Sequence, residues 1–136
     1  MNTLELVQKG YECFGKGDID GLMELMADDV KWTTPIVENA PFGGEQAGKQ
    51  SVRDFFRLLN ESEDITRFEP LEFIAQDDKV AVLGEYAATV NSTGKSYETD
   101  WVHLFHIKDD KILNFHEFFD NAAATRAFQK SARADA

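Results

Sequence analysis

Two side chains in this sequence are well suited to moving a proton: the imidazole of His103 and the carboxyl of Glu117. An imidazole changes charge near neutrality, and a carboxyl withdrawn from water needs a partner. Both lie in Tyr97 to Asp120, YETDWVHLFHIKDDKILNFHEFFD, which reads as two long strands folded about Asp109-Asp110. Taking alternate positions, one face carries Thr99, Trp101, His103, Phe105 and Ile107, then Leu113, Phe115, Glu117 and Phe119. Pairing across the turn sets His103 near Glu117 in an aromatic hollow. The other face carries Asp100, Val102, Leu104 and His106, then Ile112, Asn114, His116, Phe118 and Asp120.

A third candidate is Tyr86, placed mid-strand with Gly84 and Ala88 on its own face. Small neighbours leave space beside the phenol, whose hydroxyl could polarise a carbonyl. Each candidate also has a structural reading. Glu117 could turn outward or form a salt bridge, His103 could be a core histidine bonded to Tyr86 or Glu117, and Tyr86 could simply fill the core.

Other reactive residue types read as bland. His106 and His116 share the outer face and could approach each other, but they show no metal-ligand spacing, so no metal is expected. The clusters Asp28-Asp29, Glu61 to Asp64, Asp77-Asp78 and Asp109-Asp110 fall at element ends as solvated turns. The single cysteine, Cys13, has no basic neighbour in sequence and reads as a buried, inert thiol.

The elements that position these groups follow from periodicity. Leu4, Val7, Tyr11 and Phe14 make one helical stripe after an Asn2/Glu5 capping box. A second short helix, capped by Asp18, carries Ile19, Leu22, Met23 and Met26 and ends at Asp28-Asp29. Val30 to Thr34 reads as a short strand, and 36–48 as a loop rich in glycine. Val52, Phe55, Phe56 and Leu59 predict a third helix over 49–60. Strands over 66–75 and 79–91 precede the hairpin, and an alanine-rich stretch from Asn121 makes a last short helix. Helices first and a strand meander afterwards imply an α+β arrangement, a curved antiparallel sheet covered by three N-terminal helices to form a cone.

At 136 residues the chain fits one domain, with an ordered core over 2–128 and a frayed tail over 129–136. Twenty-five acidic against fourteen basic residues give a net charge of −11, which repels nucleic acid and anionic membrane surfaces. One cysteine and no signal-peptide or membrane-length apolar run point to the cytoplasm. Val102, Leu104, Ile112 and Phe118 leave the outward sheet face apolar, which predicts a homodimer through that face.

The order helix, GDID, second helix, ADDVKWTTP, loop, third helix and a meander closing with KILNFHEFFD resembles the nuclear transport factor 2-like superfamily. The likeness is to its SnoaL-like and ketosteroid isomerase-related branch, over about residues 2–128. The resemblance implies a cone-shaped pocket and no cofactor, but the fold hosts many reactions. The base and oxyanion positions of ketosteroid isomerases fall on Thr34 and His103, and a threonine does not abstract a carbon-bound proton unaided. The limonene epoxide hydrolase network falls on Glu117, Gly84, Tyr86, Trp32 and Thr34, of which only the last-strand carboxyl survives. SnoaL-like cyclases, with a lone pocket acid or base, are the nearest pattern.

The expected pocket is therefore Tyr11, Phe14, Trp32, Thr34, Gly84, Ala88, Thr99, Trp101, Phe105 and Phe119 around catalytic Glu117, His103 and Tyr86. The expected function is a cofactor-independent acid/base enzyme of isomerase, cyclase or dehydratase type acting on a small apolar carbonyl or hydroxy compound. The alternatives are a binding protein without turnover and an interaction module with a closed core.

Overall fold

The computed structural model describes residues 1–130, so the tail expected over 129–136 lies, beyond Lys130, outside the described residues. Helix α1 spans Thr3–Gly15 and opens with the expected capping box: the Asn2 side chain accepts from the Glu5 N–H at 2.8 Å, and the Asn2 N–H donates to Glu5 Oε1 at 3.1 Å. Gly17, at φ 73°, reverses the chain, and Asp18 caps α2, Ile19–Glu24.

Strand β1 runs Met26–Thr34, beginning before the expected Val30. Asp28 and Asp29 thus lie inside a strand rather than ending a helix. Met26 is fully buried and pairs with Ile112, and the register shifts between Met26 and Lys31, so the two aspartates occupy an irregular stretch that keeps them in water. The stretch read as a loop contains a second short strand, β2, Gly44–Ala47, antiparallel to β1. Its GEQA sequence has no apolar alternation, because it is an edge strand recognised only by its backbone partner.

Helix α3, Lys49–Ser62, buries Val52, Phe55 and Phe56. Strands β3 (Glu63–Gln76), β4 (Lys79–Val90), β5 (Ser96–Lys108) and β6 (Lys111–Phe119) form the expected antiparallel meander, and α4, Asn121–Phe128, follows. The sheet order is β2-β1-β6-β5-β4-β3, with β1 parallel to β6, so one parallel pair joins the two ends of the chain. Pro70 sits on edge strand β3 beside a register shift, where its missing N–H costs no ladder bond.

One residue departs from the expected face. Ile112, read as outward, is fully buried. The pairs Ile107↔Ile112 and His106↔Asn114 leave Leu113 as an extra residue, and this bulge turns Ile112 inward while Phe115, Glu117 and Phe119 keep their expected phase.

The helices lay their stripes on the concave face, where Val7, Leu22, Phe55 and Phe56 meet Val82, Trp101, Phe105 and Phe115 in the main core. A smaller cluster, Val37, Val90, Ala124, Ala127 and Phe128, lies under α4. The α4 end is tied down where Thr93 Oγ1 donates to the Ala127 carbonyl at 2.6 Å.

Gly84 is pinned by this packing. A Cβ there would lie 2.2 Å from Trp101 Cζ2 and 2.4 Å from the Glu69 carbonyl oxygen. Gly84→Ala should destabilise the fold by about 1–3 kcal/mol, measured by urea unfolding, because the indole and a backbone oxygen must both move.

Candidate active site

The hairpin register sets the centre of the site. His103 pairs with Glu117, flanked by Trp101↔Phe119 and Phe105↔Phe115. His103 Nε2 lies 2.7 Å from Glu117 Oε2, and the Tyr11 hydroxyl of α1 lies 2.7 Å from His103 Nδ1. The imidazole is buried and stacks on Trp101 at 3.9 Å between ring centres, whereas the Glu117 side chain retains 21% of its exposure.

Burial pushes the Tyr11 hydroxyl above its ordinary range, and the negative charge of Glu117 adds to the shift. The phenol therefore keeps its proton and donates to Nδ1. That leaves Nε2 as the protonated nitrogen, donating to Glu117, so one chain of hydrogen bonds runs from phenol to imidazole to carboxylate.

A second polar group stands in the same cone. Glu63, at the junction of α3 and β3, is 3% exposed. The Tyr86 hydroxyl donates to its Oε1 at 3.1 Å, and Tyr97 donates to the same oxygen. Burial raises the Glu63 carboxyl above its ordinary value, the two phenol hydrogen bonds oppose the rise, and the charge of Glu117 reinforces it. Burial, with the Glu63 charge next, likewise pushes the Tyr86 and Tyr97 hydroxyls up.

Glu63 corrects the reading of Glu61 to Asp64 as a solvated turn. An acidic run conceals it, because the chain passes from helix to strand inside the run and only one of its carboxyls turns inward. The available signal lay elsewhere: inward-facing tyrosines need a hydrogen-bond acceptor. Tyr86 accordingly bonds Glu63 rather than His103.

These groups border a cavity of about 90 Å³. Tyr11, Phe14, Trp32 and Thr34 line it from the α1 and β1 side, and Thr99, Trp101, Phe105 and Phe119 from the hairpin. Gly84 and Ala88 do not: the Trp101 indole fills the space beside Gly84, and Ala88 is packed in the core. Phe42 and α4 Phe128 meet edge to face at 5.7 Å, bringing the loop after β1 against α4. Among the described residues no lysine or arginine lines the cavity. Its chemistry is that of carboxyl, imidazole, phenol and hydroxyl groups against aromatic walls.

Three buried polar atoms on lining residues have no partner among the described residues: Trp32 Nε1, Trp101 Nε1 and Thr34 Oγ1. Thr33 pairs with His116, which places Thr34 beside Glu117 on the inner face. On the outer face, His106 Nε2 bonds Asp78 Oδ2 at 2.8 Å and pairs with Asn114, while His116 stacks on Phe118 at 4.2 Å. The two histidines do not meet. Among the described residues no three of His, Cys, Asp and Glu form a metal-holding group.

The fold and this cone place the chain in a family. It belongs to the SnoaL-like domain family, which matches residues 7–115. Among solved structures it is similar to an NTF2-like protein from Burkholderia xenovorans LB400, with 30% identity over 93% of this chain and 95% of that one and a TM-score of 0.85. An NTF2-like protein of unknown function from Burkholderia pseudomallei K96243 shows 28% identity over 95% and 98% of the two chains, TM-score 0.85. TerC, co-crystallized with polyporic acid, shows 27% identity over 93% and 97%, TM-score 0.83. No curated protein matches the chain. No helix among the described residues is long and apolar enough to cross a membrane.

The raised Glu63 carboxyl gives a pH signature. The folded protein holds this proton more tightly than the unfolded chain, so the stability it contributes is full below the ordinary value of 4.5 and is lost as pH rises through the higher folded value. Melting temperatures of the protein and of Glu63→Gln, compared across that range, should show the unsubstituted protein losing ground to the variant as pH rises. A constant difference would mean that Glu63 carries no raised value.

Proposed function

We propose that this protein is a cofactor-independent acid/base enzyme that binds a small apolar carbonyl or hydroxy compound in the cone and exchanges a proton with it through Glu117. The observation that carries the reading is the chain Tyr11, His103, Glu117 opening onto an aromatic cavity. Glu117 keeps one oxygen on the imidazole, and part of its surface remains accessible. His103, locked between the phenol and Trp101, holds the carboxylate in place through its Nε2–H. Aromatic walls hold the hydrocarbon part of the ligand and exclude water, so hydrogen bonds at the reacting group gain strength. Tyr86 acts through Glu63, to which its hydroxyl is already committed. The similarity to TerC, co-crystallized with polyporic acid, supports an organic ligand in this fold.

Deuterium exchange tests the reading without a known substrate. Incubated in heavy water with a panel of aryl ketones, the protein should wash deuterium into the position next to the carbonyl. Glu117→Gln should slow this exchange by about 10²–10⁴-fold while retaining ligand binding. Undiminished exchange in Glu117→Gln removes the catalytic role. Binding without exchange in the unsubstituted protein favours a carrier.

The working form proposed is a homodimer in the cytoplasm. Val102, Leu104 and Phe118 are 38%, 41% and 50% exposed on the outward sheet face, and Leu83 beside Val102 extends the patch. Ile112 is not part of it. The single cysteine, Cys13, is buried and free, consistent with a reducing compartment. Sedimentation at micromolar concentration should show a species near twice 15.4 kDa, and Leu104→Glu should return it to the monomer. A monomer alone in the unsubstituted protein overturns the dimer.

A further inference from the structure

The cone holds more polar chemistry than the Glu117 chain uses. Glu63 is 3% exposed and lines the same cavity. Both of its phenol partners bind Oε1, which leaves Oε2 without a partner among the described residues. Among the described residues no cation accompanies it: none of their lysines or arginines lines the cavity, and their only lining histidine, His103, is occupied by Tyr11 and Glu117. A buried carboxyl with no positive partner is pushed toward the neutral acid, against the opposing pull of the two phenol hydrogen bonds. With Oε1 accepting from two hydroxyls, the acid proton belongs on Oε2, where it is a hydrogen-bond donor.

Three other polar groups on lining residues are unsatisfied as well. Trp32 and Trp101 are 6% and 3% exposed, and each indole N–H is a donor without an acceptor. Thr34, 5% exposed, holds a hydroxyl with no partner. These three atoms are closed off within the cavity wall, so the donor left to meet an acceptor on whatever enters is the Glu63 acid. An ammonium group brings none, although two carboxyls in an aromatic box would otherwise suit a cation. A carboxylate brings acceptors, but it would be repelled by Glu117.

We propose that Glu63, clasped by Tyr86 and Tyr97, is a second ligand-binding station that donates a hydrogen bond from Oε2 to a carbonyl oxygen, making the cavity selective for neutral ketones and aldehydes over amines and hydrocarbons. This deepens the proposed function and rests on its reading of the cone as a ligand site. Glu117 then provides the basic group and Glu63 the neutral acid of one cavity, held by separate partners.

Three probes of one shape separate the possibilities: acetophenone, ethylbenzene and benzylamine. Their affinities are read by chemical-shift titration of isotope-labelled protein. The unsubstituted protein should hold acetophenone roughly tenfold more tightly than either of the others, the size of one good hydrogen bond. Glu63→Gln should preserve that preference, because the amide accepts from the two phenols and donates through its nitrogen. Glu63→Leu should reduce acetophenone to the affinity of ethylbenzene, with ethylbenzene itself unchanged. A preference for benzylamine, a ketone preference that survives in Glu63→Leu, or no binding of any probe overturns the proposal. If Glu63→Leu does not fold, the carbon-13 signal of the Glu63 carboxyl in the unsubstituted protein decides. It should move with acetophenone and not with ethylbenzene, and equal responses overturn the proposal. Absence of deuterium exchange would count against the catalytic reading alone, whereas these affinity ratios bear on Glu63 alone.

Discussion

The site depends on the register of one hairpin. Asp109 and Asp110 adopt positive φ values of 53° and 61°, the left-handed pair that a two-residue turn needs to match the twist of its strands. That turn pairs Lys108 with Lys111 and Ile107 with Ile112. Counted straight from the turn, His103 would face His116. The extra residue at Leu113 advances β6 by one, and Glu117 arrives opposite His103 instead. A single bulge therefore decides whether an imidazole meets a carboxylate or another imidazole, while Ile112, on its near side, is left in the core.

Holding polar groups in an aromatic cone requires partners fixed by packing. The Trp101 indole lies over the bare backbone of Gly84 and stacks on Phe68 at 5.2 Å. Its ring in turn supports His103, and Tyr11 reaches the imidazole from across the cone. The Glu63 cluster joins the end of α3 to β4 and to the start of β5, the strand that also carries His103, but its carboxyl has hydrogen-bond partners of its own. Their surroundings differ accordingly: one keeps contact with water and an imidazole, the other has phenols alone.

Much of this was legible in the sequence where periodicity had one interpretation. The helical stripes, the Asn2/Glu5 capping box and the alternation that set His103 and Glu117 on one face all follow from local pattern. The misses share a cause in non-local partners. Strand β2 has no side-chain signature because its pairing with β1 makes it a strand. Ile112 changes face through a bulge that no residue type announces. Gly84 looked like empty space and is instead occupied by a tryptophan from the neighbouring strand. Glu63 stood among other acids, and its burial is set by tyrosines more than twenty residues further along the chain.

The parallel pairing of β1 with β6 has a consequence for how the protein is made. Thr34 and Trp32 reach the cavity from a strand whose inner neighbour, spanning Lys111–Phe119, is synthesised long after it. At ~5–20 residues per second the interval is on the order of ten seconds. Throughout it α1, α2 and β1 have an apolar face and no completed sheet to receive it. Local hairpins in the meander close early, but the long-range β1–β6 contact carries the larger loop entropy and makes the final assembly step slow. The nascent chain is thus most exposed to aggregation just before its cavity exists.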